Sequence, residues 1–92
     1  MTAGYRRPDA LAVVDGEELG ADHRVVYVAP LPDGPISCLE GPAALIWEEA
    51  QTGPEESLAE RVAVRAGVGV DEVREDVTTF VAELVERCLL ER

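Results

Sequence analysis

The chain has 92 residues, 47% of them apolar, and carries 19 acidic side chains against eight arginines and no lysine, a formal net charge of −11. A chain this short buries only about 60–65% of the surface its unfolded form exposes, so it makes one domain (residues 1–92) with a thin core. The charge argues against nucleic acid or an anionic membrane as main partner, because both are bound through clustered Lys and Arg, and the apolar content is too high for a disordered tail.

Residues 1–9 are mostly polar and are expected to be flexible. They are followed only by the short apolar run Leu11 to Val14, too brief for the core of an export signal. The two cysteines, Cys38 and Cys88, stand fifty residues apart outside any CxxC pair. A cytoplasmic protein with reduced thiols is the expectation. Leu11 to Val14 reads as a first strand, ended by the turn signal Asp15-Gly16. Val25 to Val28, β-branched and aromatic, reads as a second. The stretch Pro30 to Pro35 holds three prolines, which lack amide hydrogens, and so is a turn outside the sheet. Ile36 to Leu39 reads as a third, short strand, and tight links between the three suggest an antiparallel meander.

From Gly41 the period becomes helical. Pro42 suits a first helical position, and Ala43 to Ala50 continues that helix. Gly53-Pro54 breaks the chain, with Thr52 placed to cap a second helix carrying Leu58, Val62 and Ala66 at four-residue spacing. Gly67 to Val70 is a turn. Asp71 is placed to cap the longest helix, to about Arg87, whose apolar face is Val73, Val77, Phe80, Val81, Leu84 and Cys88. Strands followed by helices indicate an α+β fold, here winged helix-turn-helix-like: a three-stranded antiparallel sheet and then three helices.

No residue pattern supports catalysis, a metal or a cofactor. His23 is the single histidine, and a closed metal site needs several converging ligands. A Cys38–His23 nucleophile pair lacks a third, orienting group. Gly67-Val68-Gly69 follows a helix instead of a strand and reads as a helix end, not a phosphate loop. A winged helix-turn-helix raises duplex DNA as a ligand, yet residues 71–87 carry six acids and two arginines, a helix that phosphates repel. The remaining candidate is the edge of the sheet. If Ile36 to Leu39 forms one edge, it can pair with an extended peptide, and the last helix can wall the same groove through Val73, Asp76 and Phe80.

The run Leu39 to Glu48 (LEGPAALIWE) is similar to the "LN.TAA.IW" signature of PqqD-like proteins. Glu56 to Glu60, Asp76 to Leu84 and Cys88-Leu89-Leu90 resemble other parts of that family, whose usual ending is "DV..FL.eL...GLL". The resemblance runs over about residues 10–90. It implies a non-catalytic element that recognises the precursors of ribosomally synthesised, modified peptides. The leader segment would join as a strand beside Ile36, Ser37, Cys38 and Leu39, against a helix wall of Val73, Asp76 and Phe80. Free-standing members of this size resemble the leader-binding proteins of lasso peptide clusters, which deliver the precursor to a leader peptidase. Others serve radical-SAM enzymes, as in the quinone-cofactor pathway. Two departures stand out. Glu40-Gly41-Pro42 replaces an Asn-x-Thr-like segment. Cys88 replaces a glycine, so the last helix is expected to run on slightly, because a β-carbon strains a left-handed cap.

Overall fold

A computed structural model describes residues 4–20 and 24–92. The order is β1 (Leu11–Asp15), β2 (Val25–Pro30), β3 (Ser37–Glu40), α1 (Pro42–Ala50), α2 (Leu58–Ala66) and α3 (Val70–Glu86), with 3-10 turns at Gly16–Leu19 and Glu55–Ser57. The sheet is antiparallel in the order β1-β2-β3, and the three helices come after it: an α+β fold. Val13 faces Val28 across the first pair, and Val26 faces Leu39 across the second. Alternation turns Val26, Val28 and Leu39 towards the helices, where they join Trp47, Leu84, Leu89 and Leu90 in one cluster. Each such large apolar side chain contributes about 1.5–3 kcal/mol by leaving water. Val25 faces the opposite way and is covered by the turn at Gly16–Leu19.

Three details differ from the sequence expectation. Thr52 does not cap α2. Its hydroxyl donates to the Glu49 carbonyl at 3.1 Å, and the chain makes a 3-10 turn before α2 begins at Leu58. Asp71 does not cap α3 either, because the helix starts one residue earlier, at Val70, after Gly69; Asp71 lies in the first turn, where the helix dipole favours an acid. Nor does α3 run on past Arg87. Cys88 itself takes the left-handed conformation (φ 64°). The Leu89 amide donates to the Leu84 carbonyl at 2.8 Å and the Cys88 amide to the Val85 carbonyl at 3.1 Å, closing a Schellman motif. The cause lies in the next two residues: the reversal swings Leu89 and Leu90 into the core, each 1% exposed, and their burial offsets the strain of a β-carbon at Cys88.

Within the segment expected to be flexible, Tyr5 and Arg6 are held by the rest of the chain. Tyr5 is buried, its amide donates to the Ala50 carbonyl, and Arg6 and Glu91 exchange two backbone hydrogen bonds of 2.8 and 2.9 Å. Trp47 is core, as expected, and its Nε1 donates to the Leu89 carbonyl at 3.0 Å. Among the described residues no helix is long and apolar enough to cross a membrane.

Candidate peptide-binding edge

The third strand is placed by its two ends. The proline-rich turn releases the chain at Pro35, and Gly41 stops it with φ 53° and ψ −120°, a combination side-chain-bearing residues avoid. Pro42 then opens α1. The departure Glu40-Gly41-Pro42 is therefore the joint between strand and helix. Among the described residues β3 pairs with β2 alone, so its other side is a sheet edge.

The direction of each backbone group follows from one hydrogen bond. The Gly41 amide donates to the Arg24 carbonyl at 3.0 Å, in register with the β2–β3 ladder. Alternation then turns the N–H and C=O groups of Leu39 and Ser37 to β2, and those of Cys38 and Glu40 outward. Side chains follow the same period. Ser37 and Leu39 are buried, 7% and 3% exposed, while Cys38 and Glu40 stand on the outer face. Ile36 falls just before the strand and is 76% exposed; it lines an apolar hollow on the outer sheet face with Val14, Tyr27, Leu31 and Pro32.

The helix wall can be placed as well. Val77, Val81 and Leu84 are the buried residues of α3. Val73 and Phe80 flank them, half-buried and packed against the core, with exposed Asp76 beside them. Arg87, two turns beyond Phe80 on the same flank, donates from Nη2 to the Ser37 hydroxyl. That contact ties the C-terminal end of α3 to the start of β3, and α1 packs against both elements. The structure thus brings Arg87 to Ser37 at this edge, presents Cys38 there through its backbone, buries Leu39 in the core, sets Val73, Asp76 and Phe80 on the flank of α3 that ends in Arg87, and leaves Ile36 at the margin of the strand. Sequence reasoning did not link Arg87 to Ser37, a contact fifty residues apart in the chain.

The other flank of α3 is closed by the chain's own polar groups. A hollow there is lined by Tyr5, Glu55, Arg74, Val81, Val85 and Arg92. The Tyr5 hydroxyl donates to Glu55 Oε1 at 2.6 Å, Arg92 pairs with Glu55 at 2.8 Å, and the Arg92 guanidinium lies over the Tyr5 ring. Burial, then the Glu55 carboxylate, push the Tyr5 hydroxyl up to about 12. Further along, Glu49 at the end of α1 accepts from Arg61, Arg65 and Thr52. Burial would raise this carboxyl, but hydrogen bonds from Arg65 and Thr52 and the guanidinium charge hold it below the usual range.

Cys38 is not set up as a nucleophile. Desolvation and the neighbouring Glu40 carboxylate push its thiol up, away from the reactive thiolate. His23, the other half of the pair weighed from the sequence, lies outside the described residues.

The chain matches the family model described as coenzyme PQQ synthesis protein D over residues 33–90. Searches of curated proteins and of solved structures found no match. The matched stretch is narrower than the 10–90 over which the resemblance is read: it leaves out β1 and β2 but takes in β3, α3 and the joint at Gly41. The family is the one the sequence motifs resemble, a family of peptide-binding partner proteins in the maturation of ribosomally made peptides. Matched over well more than half its length, the chain belongs to the PqqD family.

Proposed function

We propose that this protein is a non-catalytic adaptor that binds the leader segment of a ribosomally synthesised precursor and delivers it to a leader peptidase in a lasso-peptide-type pathway. It works in the cytoplasm as a single domain over residues 1–92, monomeric or weakly dimeric. The observation that carries this reading is the outward N–H and C=O of Cys38 on the edge strand; the half-buried Val73 and Phe80 of α3 are assigned as the apolar wall the reading requires. An added strand takes affinity from the main chain and specificity from side chains facing the helix. Holding the leader also raises its concentration near the enzyme.

The test is fluorescence polarisation with a labelled synthetic leader from the precursor encoded beside this gene. Saturable binding near micromolar, about −8 kcal/mol, is expected; absence of saturation at hundreds of micromolar rejects the adaptor. A second reading comes from the family's description: service to a radical-SAM enzyme of a PQQ-like pathway. Co-purification with a leader peptidase or with a radical-SAM enzyme separates the two. A DNA-binding regulator is disfavoured by the exposed acids of α3, and a gel shift with salt-sensitive duplex binding would revive it.

A further inference from the structure

The arginines of this chain are few, and nearly all are spent internally. Of the eight, six pair with carboxylates and Arg7 lies over the Trp47 ring. Arg87 differs. Among the described residues its partner is a neutral hydroxyl, that of Ser37. An acidic partner is close at hand: Glu83 stands one turn earlier on α3, the spacing at which Glu and Arg pair along a helix. Arg87 turns instead to the edge strand, with the rest of its five-donor fork exposed.

The strand geometry dictates which guest group reaches it. A guest residue paired with Ser37 turns its side chain to the same face as Ser37, about 5 Å away at the β-carbons. That face holds Arg87. The guest residue two positions along pairs with Leu39 and meets a buried apolar surface.

We propose that Arg87 is a specificity-determining residue: it takes a carboxylate side chain of the guest peptide at the position paired with Ser37, and Leu39 takes an apolar side chain two residues away. Ser37 holds the guanidinium at the edge. The recognised element is an acidic and an apolar residue separated by one. A charge-assisted, two-pronged contact at a partly desolvated edge is stronger than a neutral hydrogen bond and selects Asp or Glu over Asn or Gln. The inference rests on the adaptor reading and adds to it the chemistry of one leader position.

The experiment is a double-mutant cycle read by fluorescence polarisation with the labelled synthetic leader. Arg87→Gln is expected to weaken binding about tenfold, with circular dichroism showing an intact fold. One Asp→Asn or Glu→Gln change in the leader should cause the same loss, and the two together no further loss. Arg87→Lys should recover only part of the affinity, since it keeps the charge without the fork. Unchanged affinity for Arg87→Gln, or losses that simply add for every leader carboxylate, overturns the assignment while leaving the adaptor in place. If the unaltered protein does not bind the leader, the adaptor reading fails and this assignment falls with it.

Discussion

The two flanks of α3 are built from similar residues and treated differently. Towards α2, charge is settled within the chain: Arg74 pairs with Glu60, Arg92 with Glu55, and Tyr5 donates to the same Glu55. On the flank that carries Arg87 the apolar side chains Val73 and Phe80 are only half covered, and Arg87 has a hydroxyl for company. A flank whose hydrogen bonds and ion pairs close internally holds the fold. One whose groups remain half-satisfied is the flank to which the proposed guest is assigned. In a chain of net charge −11, an arginine kept from its neighbouring acids is the sharper signal of the two.

The contrast can be tested against internally paired charge elsewhere and from either flank, and the largest effect belongs to the α1–α2 ion-pair cluster. Glu49→Ala leaves Arg61 and Arg65 without their shared carboxylate in a largely buried position. Because Arg61 and Arg65 are partly exposed, it should cost about 2 kcal/mol in urea unfolding, while leader affinity at temperatures where the variant stays folded is unchanged. A weakened leader would mean that the two sides are coupled. Next is Cys38→Pro on the open side. Proline is tolerated on an edge strand where its missing N–H would face solvent, so the thermal midpoint should shift little, while leader affinity falls about tenfold or more. Equal binding would place the guest elsewhere, and the apolar hollow beside Ile36 would be the next surface to probe. Smaller is Tyr5→Phe, which removes a hydrogen bond to a carboxylate. About 1 kcal/mol of stability should go, with no change in binding.

The pH dependence sharpens the same comparison. In the folded state Tyr5 is raised from 10.0 to about 12, so the stability it contributes is present below pH 10 and lost as pH rises from there. Glu49 and Glu55 are lowered from 4.5, so their contribution is present above that value and lost as pH falls. Melting temperature should therefore be flat between the two limits, and in Tyr5→Phe the alkaline decline should be shallower. An unchanged alkaline decline would show that ionisation of Tyr5 is not what destabilises the fold at high pH.

Much of the architecture is legible because its signals are local. β-branched runs set between turn residues place all three strands to within two residues at either end, and the spacing of Val73, Val77, Phe80, Val81 and Leu84 gives α3 its buried face. The helix ends are read less well for a consistent reason. Thr52 and Asp71 have the right chemistry for caps, but the backbone reaches each helix through Ser57 and Gly69, and no side chain caps either. At Cys88, local strain is outweighed by the burial of two leucines downstream, a non-local gain that no single position reveals. Tyr5 looks like a lone aromatic in a polar stretch, because its partners lie at Ala50, Glu55 and Arg92. The strand part of the candidate edge could be read from the pattern, whereas the link between Ser37 and Arg87 spans fifty residues.

The brevity of β3 has a kinetic consequence. Four residues turn the backbone groups of only Cys38 and Glu40 outward, so the ladder a guest can form is short. At the micromolar affinity expected of the proposed complex, and with an ordinary association rate of about 10⁶ per molar per second, a bound leader would leave after about a second. On the proposed function, an adaptor with so brief a hold could serve many copies of an enzyme in turn, and a longer strand, by gripping harder, would slow the line.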